Sequence, residues 1–374
     1  MGIRNLVGVI STVCCGNEVA IWASEGLTGV KTFTHGQGCA QTSPDLERVR
    51  RTLISLGKNP NLGSVVVVGL GCESIEAEDV ADGISQSGKR VESFVTQDMG
   101  GAGSAREMIR SRIMEMRNEL DPMERTSCDI SSIILGIKCG GSDTTSGLSA
   151  NPALGVAVDE LLDWDASVAF GETTELIGAE DWLVSRGRTR AIREEILGTI
   201  IRMEERAKRM GVDMRGGQPT GGNIRGGLST IEEKSLGAAI KTGSRPIDGV
   251  VEYGDMIASK GLTMVDTPGR EPEFLTGIAA AGAQLMVFTT GKGAPHNFPF
   301  MPVIKVTGNP RTATALESHI DVDVSGVLAG DMDMIPAGHL ILDEVLRVAS
   351  GKVTKAEAMG YDRSMNIYTT GPVI

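Results

Sequence analysis

Val65-Val66-Val67-Val68-Gly69-Leu70-Gly71-Cys72 is a run of β-branched residues that breaks into glycine and ends on a thiol. A short apolar run of this kind, bounded by glycine, reads as a buried parallel strand followed by its loop. The pattern recurs at Val7 to Cys15, Val30 to Cys39 and Ile133 to Cys139. In open α/β sheets ligands bind outside the carboxyl ends of the strands. The expectation is therefore that Cys15, Cys39, Cys72 and Cys139 converge on one crevice.

The segments between these runs have helical periodicity. Ser43 is placed to cap a helix with Pro44 at its first position, and Leu46, Val49, Leu53 and Leu56 then fall on one face until Gly57. Helices are expected at about 75–87 and 104–120, with a strand at Val91 to Val95 between them. This alternation predicts an α/β fold opening with a doubly wound, parallel-sheet domain. The polar stretch Asp121 to Cys128, containing Pro122, marks a boundary, giving domains at 1–124 and 125–374, the second a larger α/β domain. In it, Ile192, Ile196, Ile200 and Met203 make one stripe of a helix over about 189–210, a packing helix with a solvated face. The glycine-rich Arg215 to Gly227 reads as a flexible loop suited to be a lid.

Several functions are excluded or disfavoured. Gly69-Leu70-Gly71 lacks the third glycine of a dinucleotide fingerprint, having Ser74 there, and no glycine-rich turn is followed by Lys-Ser or Lys-Thr as in a P-loop. A net charge of −12 and aromatics at only 3% oppose a nucleic-acid-binding face. The apolar stretches, such as Ile278 to Phe288, are too short and interrupted to cross a bilayer, and no signal-peptide pattern precedes the first strand. A cytoplasmic protein with reduced thiols is expected, and thiolates gathered there suit iron, zinc or an iron–sulfur cluster. No Cys-x-x-Cys pair occurs, so such a metal would be held only after the whole sheet has folded. Cys14 and Cys128 read as small buried hydrophobes.

Lys138-Cys139-Gly140-Gly141-Ser142-Asp143, with Ser146-Gly147 and Ser149-Ala150-Asn151-Pro152, makes the chain recognisable. With Gly2-Ile3-Arg4-Asn5, Gly38-Cys39, Leu70-Gly71-Cys72, Gly222-Asn223-Ile224-Arg225, Lys234-Ser235, Thr267-Pro268-Gly269, Phe288-Thr289-Thr290-Gly291 and Pro302-Val303-Ile304-Lys305, it resembles the altronate and galactarate dehydratase family, which also includes the large subunit of sulfolactate sulfo-lyase. Single-chain members of that family carry an N-terminal SAF domain. Here the catalytic part starts at residue 1, so the resemblance implies a separate small SAF-domain subunit, in an oligomer. His296 departs from the family pattern and receives no role, and His319 and His339 read as ordinary residues.

The resemblance implies dehydration of a small polyhydroxy carboxylate to a 2-keto-3-deoxy acid. Removing the proton beside a carboxylate makes an enediolate whose charge a metal can hold as Lewis acid. Iron, as Fe2+ or as a cluster, held by Cys15, Cys39, Cys72 and Cys139, is the expected device. A base and an acid are also needed. His35, in the Cys39 loop, Lys234 and Glu175 are the candidates. Asn17, Lys138, Ser142, Asp143, Ser146, Asn151, Glu172, Asn223, Arg225, Thr290 and Lys305 are expected to hold the carboxylate and hydroxyls of the substrate. The rival with the same first step expels sulfite. A nicotinamide oxidoreductase and a non-catalytic metal-binding scaffold explain fewer of these residues.

Overall fold

A computed structural model describes all 374 residues. The first strands are β1 (Leu6–Ser11), β2 (Val30–Phe33), β3 (Leu62–Gly69) and β4 (Arg90–Val95). They pair in the order β2-β1-β3-β4, with all three pairings parallel. The remaining strands are β5 (Ile134–Gly140), β6 (Ser167–Phe170), β7 (Ile247–Val251), β8 (Gly261–Val265), β9 (Leu285–Thr290), β10 (Val303–Thr307) and β11 (Val322–Asp323). They form a seven-stranded sheet in the order β11-β10-β9-β5-β6-β8-β7, again wholly parallel. Parallel sheets are covered on both faces, which is why their strands read as near-continuous Val/Ile runs rather than alternating ones. The chain is thus α/β with two parallel sheets, the smaller first, and residues 121–129 between them carry no helix or strand.

The helices lie close to where periodicity puts them. Ser43–Lys58 buries Val49, Leu53 and Leu56, although the capping position is Thr42 rather than Ser43. Ala102–Leu120 buries Ile109, Ile113 and Met116, and Arg190–Arg209 buries Ile196, Ile200 and Met203. The glycine-rich segment differs from expectation. Instead of an irregular loop it contains the short helices Met214–Gly217 and Gly221–Arg225, the second started by a reciprocal capping box between Thr220 and Asn223.

The two sheets are not independent beads. One apolar core runs from Ile10, Phe33, Leu53 and Val67 of the small unit through Phe274, Ile278, Met286 and Phe298 of the large one. The helices Ser43–Lys58 and Glu271–Ala280 meet in it, and Met365 and Ile367 of the C-terminal segment join it. That segment returns over the small unit: Asp362 pairs with Lys31 at 2.7 Å, Asn366 accepts from the Gly36 amide at 3.3 Å, and Asp45 accepts from the amides of Thr370 and Gly371 at 2.9 and 2.6 Å. No helix is long and apolar enough to cross a membrane.

Candidate active site

β5 is a central strand, flanked by β9 and β6, and its last residues carry the Lys138-Cys139 pair. Successive side chains on a strand point to opposite faces, so lysine and thiol part company. Lys138 lies over the rings of Phe274 and Phe288, at 4.7 and 5.4 Å from their centroids. Its ammonium donates to Glu172 Oε1 at 2.8 Å, the Gly269 carbonyl at 3.0 Å and the Cys139 carbonyl at 3.3 Å. Glu172 Oε2 in turn takes the Lys241 ammonium at 2.9 Å and the Cys139 backbone amide at 3.1 Å. All three charged side chains are enclosed. Burial alone would drive Glu172 towards its neutral form, but Lys138 and Lys241 overcome it and hold the carboxyl below its usual range. The backbone of Glu172 is left-handed (φ 62°), a conformation costly for a residue with a Cβ and maintained here by the ion triad.

Lys138 and Glu172, expected at the substrate, are therefore engaged with each other and support the end of β5 from beneath. Lys241 was not anticipated. Its only sequence signal is a lysine set within the small and apolar run Leu236 to Thr242.

On the opposite face of β5, Cys139 opens into a cavity of about 330 Å³ lined also by Ser142, Asp143, Ser146, Leu148, Asn151, Leu228, Glu233, Lys234 and Leu236. Asn151, at the start of the helix Asn151–Asp163, donates from Nδ2 to the Cys139 sulfur at 3.3 Å and to the Gly237 carbonyl at 2.7 Å. Its Oδ1 accepts from Thr289 Oγ1 at 2.5 Å, and Ser142 Oγ lies 3.0 Å from the same sulfur. Lys234, at 8% exposure, reaches Glu175 Oε2 at 2.7 Å and Gln218 Oε1 at 2.8 Å. Asp143 Oδ1 accepts from Thr145 Oγ1 at 2.6 Å and the Ser146 amide at 3.1 Å, while Oδ2 accepts from Asn309 at 2.9 Å. The glycine-rich segment closes one side: Asn223 Nδ2 donates to the Ser142 carbonyl at 3.0 Å, and the Thr144 amide donates to the Gly226 carbonyl at 3.0 Å.

Three of the expected residues lie elsewhere. Thr290 Oγ1 accepts from the amides of Gly293 and Ala294 at 2.9 and 3.1 Å and so shapes a turn. Lys305 is fully buried over the Phe288 ring at 3.8 Å and donates to the His296 carbonyl at 2.6 Å. Burial brings its pKa down to about 7, Asp321 opposing and Lys138 assisting. Arg225 lies beyond the cavity, in an adjoining cleft.

The small sheet carries the other thiols. Cys15, Cys39 and Cys72 follow β1, β2 and β3 and are exposed, whereas Cys139 is buried. Cys14 and Cys128, expected to be small buried hydrophobes, are exposed as well. Their loops are neighbours, since the Cys14 amide donates to the Gln37 carbonyl at 3.0 Å and the Ser74 amide to the Gly38 carbonyl at 3.3 Å. The sulfur of Cys15 has the Cys14 sulfur beside it at 3.9 Å. Nowhere do three His, Cys, Asp or Glu side chains stand close enough to hold a metal ion. The expected convergence of four thiols is corrected accordingly: three lie on the rim of one sheet, and the fourth is buried at the end of a strand of the other, facing the cavity beside Asn151 and Ser142. This donor arrangement does not fit a four-thiolate iron site, and no step below passes through iron.

His35 is a second correction. Its Nε2–H donates to the Ser11 carbonyl at 2.8 Å and its Nδ1 accepts from the Gln37 amide at 3.1 Å, which leaves neither nitrogen for a substrate. Burial, only partly offset by the Ser11 carbonyl, holds the pKa down to about 4. Asn17 belongs to the same framework, donating to the His35 carbonyl at 2.8 Å. The Gly69-Leu70-Gly71 turn likewise has its amides occupied. Glu73 accepts from Leu70 and Gly71 at 2.9 and 2.6 Å, and despite burial these bonds keep its carboxyl below the usual range. A phosphate has no free amides to meet there.

Comparison with known proteins gives a consistent picture. Residues 130–373 match the family model described as D-galactarate/altronate dehydratase, C-terminal, and residues 1–121 match D-galactarate dehydratase/altronate hydrolase, second domain. The chain is 38% identical to (2R)-sulfolactate sulfo-lyase subunit beta of Chromohalobacter salexigens, over 96% of this chain and 92% of the relative. It is 30% identical to altronate dehydratase of Bacillus subtilis, over 99% and 76% of the two chains. Against galactarate dehydratase (L-threo-forming) of Escherichia coli the identity is 31%, over 86% and 63%.

Proposed function

Because the chain belongs to the galactarate and altronate dehydratase family, we propose that it is a lyase that removes a proton beside the carboxylate of a small hydroxy acid and expels water from the next carbon. The observation that carries this reading is the Cys139–Lys234 cavity, which combines an ammonium, a thiol, three hydroxyls, an amide and two carboxylates in a volume of about 330 Å³. That is near the lower end of the range for small-molecule sites, as a sugar acid requires.

Lys234 and Glu175 form the acid–base unit, an ion pair at 2.7 Å. The Glu175 carboxylate takes the hydrogen at C2, and the Lys234 ammonium stabilises the enediolate and gives a proton to the C3 hydroxyl, which leaves as water. Passage of the proton from Glu175 to Lys234 restores the pair. The enol left behind tautomerises to the 2-keto-3-deoxy acid. Ser142, Ser146 and Asn151 orient the hydroxyls, and the Glu172 triad keeps Cys139 and the end of β5 in place. A separate small subunit completes the enzyme, a reading supported by the relative whose name is a subunit beta.

The relative at 38% identity supports a second reading, in which the same proton is removed and sulfite leaves from C3. One assay separates the two. The chain, with a small SAF-domain protein and with or without ferrous iron, is incubated with altronate, galactarate and sulfolactate, and keto acid is read as semicarbazone alongside free sulfite. Keto-deoxy acid from a sugar acid is the expected result. Sulfite from sulfolactate alone establishes the second reading, and neither product from any substrate rejects both.

A further inference from the structure

Lys234 is held from two sides. Its ammonium reaches Glu175 Oε2 at 2.7 Å and Gln218 Oε1 at 2.8 Å. Glu175 belongs to the acid–base pair, whereas the elimination as written makes no use of Gln218. A lysine ammonium carries three N–H donors and turns easily about its last carbon–nitrogen bond. One partner leaves that rotation open; two partners in different directions close it and fix where the third N–H points. Lys234 lines the cavity, so the remaining N–H is the one available to a substrate.

Gln218 is placed for this by its own segment. Between Met210 and Gly222 the only buried residue is Pro219, and Gln218 beside it is half-buried while Gly216, Gly217, Thr220 and Gly221 are exposed. The chain therefore dips inward at Gln218-Pro219 alone. It is clamped on both sides of that point. Before it, Arg215 pairs with Glu204 at 2.9 Å and with Glu180 at 2.5 Å, and Glu180 opens the helix Glu180–Ser185 that follows Glu175. After it, Asn223 donates to the Ser142 carbonyl at 3.0 Å, which ties the segment to the loop that carries the cavity hydroxyls. The Gln218 carbonyl is thus fixed relative to both walls between which Lys234 works.

We infer that Gln218 is a positioning residue for the elimination: its side-chain carbonyl locks the Lys234 ammonium so that one N–H stays with Glu175 and another faces the C3 hydroxyl. This rests on the reading of Lys234 and Glu175 as the acid–base pair. Without Gln218 the ammonium turns, and proton delivery to the leaving hydroxyl loses its alignment, a kind of misplacement that can cost about a hundredfold in rate.

Two variants separate this role from packing. Gln218→Met keeps the length of the side chain but loses the oxygen acceptor, and Gln218→Glu keeps an acceptor at the same reach. On whichever acid the wild type turns over, Gln218→Met should lower kcat roughly ten- to a hundredfold while KM stays within about threefold, and Gln218→Glu should recover most of the loss. Equal losses in both variants, a rise in KM at unchanged kcat, or no loss in either overturns the assignment. A second readout needs no turnover: acetylation of Lys234 by acetic anhydride, followed by mass spectrometry of its peptide. The amine should be modified at least about threefold faster in Gln218→Met than in wild type, and no faster than wild type in Gln218→Glu, because a lysine that has lost one of two acceptors is less firmly engaged. Equal rates in all three proteins overturn the assignment. Should the labelling behave as expected while no acid is turned over, Gln218 still fixes the ammonium and the failure belongs to the lyase reading.

Discussion

The rim of the four-stranded sheet and the pocket of the seven-stranded sheet grow from the same local signal, an apolar run ending in cysteine, yet they are chemically unlike. Cys15, Cys39 and Cys72 lie in loops past the ends of their strands and face solvent. Cys139 is still inside β5, paired with Thr289 of β9 and next to the start of the helix Asn151–Asp163, so its sulfur is buried and receives a hydrogen bond from Asn151. The solvated thiols lie three to six residues past their strand ends, and the buried one lies within its strand. The comparison teaches that a strand-end cysteine is given its chemistry by what packs over that strand.

The largest effect should fall on the pocket. Lys234→Ala is expected to lower kcat by about 10²- to 10⁴-fold with little change in stability, as removal of an acid–base group does. Steady-state kinetics alongside urea unfolding check this, and a kcat within threefold of wild type, to order of magnitude, would remove Lys234 from the mechanism. Glu172→Gln should come next. It leaves two buried ammoniums with a weakened partner, and breaking a buried ion pair in this way costs about 3–5 kcal/mol. Urea unfolding showing a loss below about 1 kcal/mol would mean that the triad does not support β5.

The rim has its own pH signature. His35 has a folded pKa of about 4 against the 6.5 of a free imidazole, so protons bind the unfolded chain more readily. Stability is fully present above pH 6.5 and is lost as the pH falls towards 4, by up to about 3 kcal/mol. His35→Gln should flatten that part of the stability–pH curve. A variant as acid-sensitive as wild type would place the titrating group elsewhere.

The smallest effect concerns the thiols themselves. Cys15→Ser, Cys39→Ser and Cys72→Ser should each change the unfolding free energy by no more than about 0.5 kcal/mol, being exposed. Under a thiol reagent, Cys139 should react last of the six cysteines. Rapid labelling of Cys139, or its retention of label kinetics after Asn151→Ala, would show that the pocket is less sealed than its hydrogen bonds imply.

The α/β class, the parallel sheet of the first unit, four of the longer helices and the segment that carries Ser142, Asp143 and Asn151 were legible in the sequence. Each depends on local periodicity, on glycine at a turn, or on residues adjacent along the chain. The roles of individual polar residues were not. His35 and Lys138 looked chemically available because sequence shows a side chain's type but not its neighbours. In the fold, His35 meets Ser11 and Gln37, and Lys138 meets Glu172.

What the sequence by itself determined is the α/β class and the edge of each sheet where chemistry gathers, since a strand's apolar run and its glycine break are encoded within a few residues. Which thiol is buried, which lysine faces the cavity and which is locked in an ion triad, and how Arg225 and Arg311 come to share one cleft were decided only by tertiary structure. These outcomes join residues tens to more than a hundred positions apart, and burial, pairing and desolvation are properties of such neighbours rather than of the local chain.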